Sequence, residues 1–491
     1  MSKFHSTVSR RDFMKAIGLA GAGISAAAAT SPVFHDLDEL ASSVPEGVAE
    51  KRPWWQKERS YLDMTTEVDW DMKNRWHGQY NNWNAHLTTE HVLGRMNQSW
   101  EKRKNDCLDN RQGWDLRSRV LGRLGWIPML AIQRAVTSLG EGLEVYDEPS
   151  NLPTPISSFP LRHDQLGVPR WEGTAEENAR MIRSMIRWAG GSTVAFGRID
   201  EKTIKLIDAV SGGKEVVFED VEKPYYTTTK MVIPNTCKYV ITTIVRQPLS
   251  DTRFSPSCIA QAAASRAYGQ GEVIKLYIQA FLRCLGYNGI YAPVTPNVAW
   301  GVATGLGELS RAKSLLTPEV GMVHRYTRVF LTDLPLPVTN PIDAGMNRFC
   351  YDCKRCIEAC PPGAIPDYKE PSWDITSINA TAENPDHLQP ELFNNQGHKS
   401  WFNNHFACAS YWAQVNTYCG LCQGVCVFSK LADSSVHETV KAVVATTPIF
   451  NGFFYNMDKT FNYNTFGEEV YKEWWDNPDK YQPLLNWDIN W

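Results

Sequence analysis

The sequence lacks several patterns that mark common cofactor sites. No strand-preceded Gly-x-Gly-x-x-Gly is present, no P-loop is present, and Asp-x-His-x-x-Gly is also missing. These absences argue against a dinucleotide-binding domain, a nucleoside triphosphatase and a protein that ligates cobalamin through a histidine. The glycines at 18, 21 and 23 follow no strand, so they do not form a dinucleotide loop.

A large excess of charge and a long apolar run are missing too. The formal net charge is -4, which gives no overall attraction to nucleic acid. Spanning a bilayer takes about 20 consecutive apolar residues, and no stretch beyond the N-terminus reaches that length. We therefore expect a mature protein that is soluble or peripherally attached to a membrane, without a nucleic-acid partner.

The N-terminus has the order of parts typical of an export signal. Arg10 and Arg11 precede Phe13 and Lys15, and an Ala/Gly-rich run over 16–29 leads to small residues. This order predicts a signal peptide over 1–30, and the paired arginines indicate the twin-arginine type.

The middle of the 491-residue chain alternates between helical and strand patterns. Helices are expected over 114–139, over 174–189 with a Thr174 cap, and over 259–285, interrupted at Gly269 or Gly271. Strands are expected over 193–199 and 239–245, and the α/β alternation continues over 329–336. This pattern predicts an α+β or α/β core.

Eight of the twelve cysteines lie between 350 and 426 and form two groups. Cys350, Cys353, Cys356 and Cys360 are followed by Pro361, which is the bacterial ferredoxin spacing for [4Fe–4S] clusters. In that pattern the first three thiolates hold one cluster and the fourth reaches a second cluster.

The second group consists of Cys408, Cys419, Cys422 and Cys426. It keeps the C-x2-C-x3-C ending but lengthens the first spacing, and Val427 replaces the usual proline. Ferredoxin-like sharing is crossed. It assigns Cys350, Cys353, Cys356 and Cys426 to the first cluster, and Cys360, Cys408, Cys419 and Cys422 to the second.

Zinc and disulfides are the competing interpretations of these cysteines. Structural zinc usually has two separate C-x-x-C knuckles, unlike this four-cysteine run. Disulfides are common in exported proteins, but the twin-arginine route is understood to carry folded, cofactor-loaded proteins. Cys107, Cys237, Cys258 and Cys284 are scattered, and we expect ordinary buried thiols there.

Taken together, further segments resemble the respiratory reductive dehalogenases of organohalide-respiring bacteria. They are SRRDFMK (9–15), PWW (53–55), WEGTAEEN (171–178), LGY (285–287), GLGE (305–308), LTDLPL (331–336), ATTPIFNGFF (445–454) and both cysteine groups. The resemblance runs nearly from end to end, and the members that act on chloroethenes are the most similar.

The resemblance implies a corrinoid, without a protein histidine ligand, in a nitroreductase-like α/β core. The fold class is then α+β, with a ferredoxin-like domain that carries two [4Fe–4S] clusters. The clusters would pass single electrons to the cobalamin, and a carbon-bound halogen would be replaced by hydrogen. The substrate would be a small halogenated organic molecule, such as a chlorinated ethene.

The family resemblance also implies the proton donor. The family uses a tyrosine beside a basic residue that stabilises the phenolate. Tyr268 matches the tyrosine by its position in the helix before LGY. Arg325 is our choice for the basic residue, with Arg328 as its rival, and Asn297 is a third polar candidate.

Other residues have a weaker functional interpretation. Trp54, Trp55, Trp76 and Trp83 are candidates for the walls of a substrate cavity, but core packing explains each of them equally well. His437 could approach a cofactor, although an ordinary hydrogen-bonded histidine is the simpler interpretation.

The family pattern divides the chain into five parts. These are the signal peptide 1–30, an N-terminal helical and aromatic region 31–155, the corrinoid-binding core 156–340, the two-cluster domain 341–430, and a C-terminal segment 431–491 that packs on the core.

The expected partners are a small membrane-anchor protein and an upstream electron donor of the respiratory chain. The expected location is the outer face of the cytoplasmic membrane. Two alternatives stay open: an electron-transfer subunit without corrinoid, and a related corrinoid enzyme that acts on a tRNA nucleoside.

Overall fold

The computed structural model describes residues 52–76, 90–143, 162–292, 296–375, 394–430 and 435–481. The predicted signal peptide lies outside these residues. The side chains of 90–93, 95, 326–328 and 435–436 also lie outside the description.

Helices and strands are numbered in chain order. The helices are α1 Glu90–Leu108, α2 Leu116–Leu124, α3 Trp126–Ala135, α4 Ala175–Trp188, α5 Leu249–Thr252, α6 Cys258–Leu285, α7 Asn297–Ala303, α8 Met346–Phe349, α9 Arg355–Glu358, α10 His405–Val415, α11 Leu421–Gly424, α12 Ser435–Thr446, α13 Asn451–Thr460, α14 Glu473–Asp476 and α15 Pro478–Tyr481. The strands are β1 Lys57–Glu58, β2 Val194–Arg198, β3 Val210–Ser211, β4 Lys214–Glu219, β5 Tyr225–Tyr226, β6 Lys230–Pro234, β7 Tyr239–Arg246, β8 Ile290–Tyr291, β9 Glu308–Leu309, β10 Leu315–Leu316, β11 His324–Thr332 and β12 Ile342–Asp343. Short 3₁₀ turns cover Thr203–Leu206 and Glu468–Val470.

The centre of the fold is an antiparallel sheet with the strand order β2-β7-β11-β8. Successive side chains of a strand point to opposite faces, so each strand supplies two cores. Phe196, Ile241 and Phe330 pack against α4 and α6 on one face. Val240 and Val329 pack on the other face, towards α7 and the second sheet, β3-β4-β6-β5. The predicted α+β class is confirmed.

Several local predictions are also confirmed. Helix α4 begins with a capping box, in which Thr174 accepts a hydrogen bond from the Glu177 backbone N–H and the Glu177 carboxylate accepts one from Thr174. The predicted strands appear as β2 and β7. Within the 329–336 pattern, residues 329–332 form the end of a longer strand, β11, which begins at His324.

Two helix predictions were wrong, and glycine packing explains both. The helix expected over 114–139 is divided into α2 and α3 at Gly125, whereas α6 runs without interruption through Gly269 and Gly271. A Cβ atom at Gly125 would overlap the backbone of Ser265, and one at Gly269 would overlap the Gly125 carbonyl. The two glycines therefore let the α2–α3 junction lie directly on α6.

The cysteine-rich segment is fixed to the core by a buried arginine. Arg311, at the tip of the β9–β10 hairpin, is only 1% exposed and lies 4.8 Å from the ring centroid of Trp401. Its guanidinium donates hydrogen bonds to five backbone carbonyls, those of Cys350, Tyr351, Pro366, Tyr368 and Lys369. One side chain thus satisfies the carbonyls of two chain segments that surround the cysteines.

The C-terminal segment contacts both the cysteine-rich segment and the core. Asp458 of α13 is buried and pairs with Arg355 Nε at 2.8 Å and Lys430 Nζ at 2.9 Å. Tyr471 and Trp474 share a core cluster with Phe254.

We predict that Arg311→Met destabilises the protein by about 3 kcal/mol or more, because several buried carbonyls lose their donor. The apparent Tm of the anaerobically purified protein should fall by several degrees. Lys354→Met is the control, because its ion pair with Asp367 is exposed to solvent and such surface pairs contribute little to stability. Equal Tm values for the two variants would contradict this role of Arg311.

Candidate functional site

The first set of cysteines surrounds a small apolar cavity. Cys350, Cys353, Cys356 and Cys426 line it together with Phe349 and Phe428. The short helices α8 and α9 place three of these thiols, because Cys350 follows α8 directly and Cys356 lies within α9. Burial is the main reason why the pKa of the Cys350 thiol is raised to about 12, and the nearby Cys426 contributes to the same shift. Such thiols ionise only when a bound cation stabilises the thiolate.

The second set surrounds a larger cavity of about 240 Å³. Cys360, Cys408, Cys419 and Cys422 line it. Burial raises the pKa of both Cys419 and Cys422 to about 12, and the charge of Arg325 opposes the shift at Cys422. The two cavities are close to each other, since Cys422 acts electrostatically on Cys356.

Each set combines cysteines from both parts of the sequence. Cys360 joins the later cysteines, and Cys426 joins the earlier ones, as crossed ligation requires. Among the described residues no three Cys, His, Asp or Glu side chains are arranged to hold a single metal ion. In a cubane cluster each thiolate binds a different iron, so the four sulfurs stand farther apart than they do around one ion. The two sets of four thiols, each with members from both cysteine groups, fit two [4Fe–4S] clusters.

None of the twelve cysteines forms a disulfide. Of the four scattered ones, Cys237 and Cys258 are buried, as expected, whereas Cys107 and Cys284 are half-buried. Burial raises the pKa of the Cys258 thiol, which is the behaviour of a structural thiol rather than a reactive one.

Tyr268 and Arg325 line the second cavity as well. Tyr268 lies in the middle of α6, and its ring stacks on Trp126 with 5.0 Å between centroids. The Arg325 Cζ atom is 5.7 Å from the centroid of the Tyr268 ring. Strand β11 has a bulge between Arg325 and Arg328, and bulges of this kind re-aim side chains near functional sites. The Arg328 side chain lies outside the described residues.

Asn297 is placed differently from the tyrosine and the arginine. It is the first residue of α7 and is half-buried, and it is not among the described residues that line the second cavity. The structure therefore brings together two of the three polar candidates.

None of the tryptophan and histidine candidates within the described residues lines this cavity. Trp54 is 72% exposed, whereas Trp55 is part of the core beside Met322 and Phe349. The carbonyl of Trp76 accepts a hydrogen bond from Ala209, and Trp83 lies outside the described residues. His437 packs edge-on against Tyr463 at 5.9 Å.

The cavity contains further residues that the sequence did not reveal. They are Lys313, Asn403, His405, Tyr411, Trp412 and Tyr418. Lys313 has a left-handed backbone with φ = 54°, and its Nζ lies 4.4 Å from the centroid of the Phe402 ring. A non-glycine residue in this region is strained, which is common at functional sites. That strain is visible only in the structure.

Residues 51–336 match the family described as reductive dehalogenase subunit, and residues 349–429 match the 4Fe-4S double cluster binding domain. The chain is therefore an iron–sulfur protein of the dehalogenase class.

A chloroethene reductive dehalogenase of Dehalococcoides mccartyi (strain VS) is 31% identical over 97% of this chain and 98% of its own length. A trichloroethene reductive dehalogenase of Dehalococcoides mccartyi (strain ATCC BAA-2266 / KCTC 15142 / 195) is 29% identical over the same shares. The chain belongs to the reductive dehalogenase family, so the predicted family and enzyme class are confirmed.

The fold is similar to that of a solved B12-dependent reductive dehalogenase, with a TM-score of 0.58 and 18% identity. The similarity covers 85% of this chain and 50% of the solved one, so the chain spans about half the length of that protein.

We predict that Cys360→Ser disturbs the second cluster and spares the first, because Cys360 lines only the second cavity. Electron paramagnetic resonance of the reduced protein should lose one of two cluster signals, and iron content should fall. Cys350→Ser is the matched variant and should affect the other signal. Loss of the same signal in both variants would show that ligation is not crossed.

Proposed function

We propose that this protein replaces a chlorine of a chlorinated ethene by hydrogen, as the terminal reductase of anaerobic organohalide respiration. One observation carries the proposal: the second cysteine set shares a single cavity with the Tyr268–Arg325 pair. Electrons and a proton can therefore reach the same place. The two Dehalococcoides relatives, which match from end to end, support a chloroethene substrate.

The reaction consumes two electrons and one proton. The carbon–chlorine bond breaks, a carbon–hydrogen bond forms, and chloride leaves. The eight cysteines would hold two one-electron clusters, which would supply the electrons one at a time. Tyr268 supplies the proton, and the positive charge of Arg325 stabilises the phenolate that remains. Water then returns a proton to Tyr268.

A corrinoid bound beside this cavity would supply the cobalt chemistry that cleaves the carbon–halogen bond. Asn403 fits the group, because it lines the cavity and its buried Oδ1 has no hydrogen-bond donor among the described residues. The rim of a corrin carries carboxamides, whose N–H groups suit such an acceptor. Tyr411, Trp412 and Tyr418 provide flat apolar surface nearby. Together these side chains would hold the ring and exclude water.

The N-terminal arginine pair supports export by the twin-arginine route to the outer face of the cytoplasmic membrane. Among the residues described, no helix is both long and apolar enough to cross a membrane. Peripheral attachment through a small membrane-anchor protein and reduction by an upstream respiratory donor complete the proposal.

Cofactor analysis tests the proposal first. We expect about eight iron atoms and one cobalt per chain in protein purified anaerobically with corrinoid available. Removal of the corrinoid should abolish dechlorination of chloroethenes, and adding it back should restore activity. Eight iron atoms without cobalt in such a preparation would instead identify an electron-transfer subunit.

Tyr268→Phe tests the proton donor. The variant keeps the ring that stacks on Trp126 but loses the hydroxyl, so we expect a fall of at least about 100-fold in kcat. Iron and cobalt contents should stay unchanged. Tyr277→Phe is a suitable control, because Tyr277 lies on the same helix but is 40% exposed. Full activity in Tyr268→Phe would remove Tyr268 from this role.

A further inference from the structure

Arg325 lies between two phenol rings that come from different parts of the fold. Its Cζ atom is 5.7 Å from the ring centroid of Tyr268 in α6 and 4.8 Å from that of Tyr418. Tyr418 directly precedes Cys419, a member of the second cysteine set. The arginine thus bridges the core and the cysteine-rich segment.

A closed set of hydrogen bonds holds the outer end of this arginine. Arg325 Nη2 donates to the Tyr418 hydroxyl and, at 3.0 Å, to Gln423 Oε1. The Tyr418 hydroxyl in turn donates to Gln423 Oε1. Gln423 directly follows Cys422 and is buried, so both residues that hold Nη2 adjoin cysteines of the second set.

The Nη1 atom of the guanidinium is fixed from the core side. It donates a hydrogen bond to the His324 carbonyl at 3.0 Å, and the side chain is buried. The acceptors of these hydrogen bonds are a carbonyl, a hydroxyl and an amide. Together they fix the orientation of the guanidinium, and so the position of its positive charge.

That charge acts in two directions. It reaches Cys422 on one side, and it faces the Tyr268 ring on the other. A cluster held by four thiolates gains one negative charge when it is reduced. Two sites that share one cation are coupled, and the coupling is reciprocal.

We propose that Tyr418 and Gln423 are positioning residues that hold Arg325 between the second cluster and the proton donor. When the electron leaves the cluster, less of the arginine's charge is offset there, and the phenolate of Tyr268 is stabilised more strongly. Proton donation is thereby favoured once the electron has moved on. Neither residue makes or breaks a bond. This inference rests on the proposed function and adds a link between electron and proton delivery.

Tyr418→Phe tests the link. The variant keeps the ring but loses the hydroxyl, so Arg325 is held less firmly near the cluster. We expect the reduction potential of the second cluster to shift to a more negative value, because a fixed nearby cation stabilises the reduced form. The measurement is a potentiometric titration of the holoenzyme followed by electron paramagnetic resonance, in the absence of substrate.

Tyr277→Phe is the control. Tyr277 is 40% exposed on α6 and is not among the described residues that line the second cavity. Its loss should leave the potential of the second cluster unchanged. An equal shift in both variants would show that the effect does not depend on the contact with Arg325, and would overturn the specific role of Tyr418.

Gln423→Leu gives an independent test if Tyr418→Phe loses its cluster. The reduction potential of the second cluster should shift in the same direction. The shift in the double variant should be smaller than the sum of the two single shifts, because both residues hold the same nitrogen, Arg325 Nη2. Arg325→Met removes the charge and serves as the positive reference. A normal potential in both single variants would overturn the inference, whether or not Arg325→Met shifts the potential.

The titration needs no turnover, so the two proposals fail separately. A shifted potential in a protein that does not dechlorinate would contradict only the proposed function. Normal dechlorination with unshifted potentials would contradict only the positioning role.

Discussion

The constraint on which the structure depends is the enclosure of eight buried or half-buried thiols around two adjacent cavities. Burial and mutual repulsion favour the protonated form of these thiols, as the raised pKa values of Cys350 and Cys422 show. Iron binding must therefore overcome this cost, and the surrounding protein must hold the sulfurs in place. The positions of four buried cations, Arg311, Arg325, Arg355 and Lys430, follow from this requirement.

Those cations are held in three different ways. Arg311 donates to the carbonyls of the loops that carry the cysteines, and Arg355 and Lys430 share Asp458. The first arrangement fixes backbone and the second ties the C-terminal helix to the clusters. Arg325 differs from both, because its oriented charge lies between a cluster ligand and a tyrosine. Buried cations thus stabilise the fold at some positions and act on the chemistry at another, depending on the groups that they contact.

The proton donor depends on packing far from the cysteines. Tyr268 stands on a helix of 28 residues that crosses the central sheet. The glycine contact between Gly125 and Gly269 brings Trp126 onto its ring. The interactions of these elements are mostly apolar, so they offer a rigid and poorly hydrated wall for the reaction.

The cluster type could be predicted from the cysteine spacing alone. Ligand spacing is a local property of the chain, and short turns convert it directly into geometry. The capping box of α4 and the strands β2 and β7 were readable for the same reason, since caps and alternation depend on near neighbours.

Which residues meet in the cavity depends on tertiary packing and could not be predicted from local patterns. Arg325 and Tyr418 are 93 positions apart and are joined by a hydrogen bond. Arg325 lies on β11 next to a bulge in the pairing with β7. The same long-range packing left Asn297 away from the described cavity walls and brought Lys313 into them. No local pattern encodes such encounters, because they depend on how distant segments pack together.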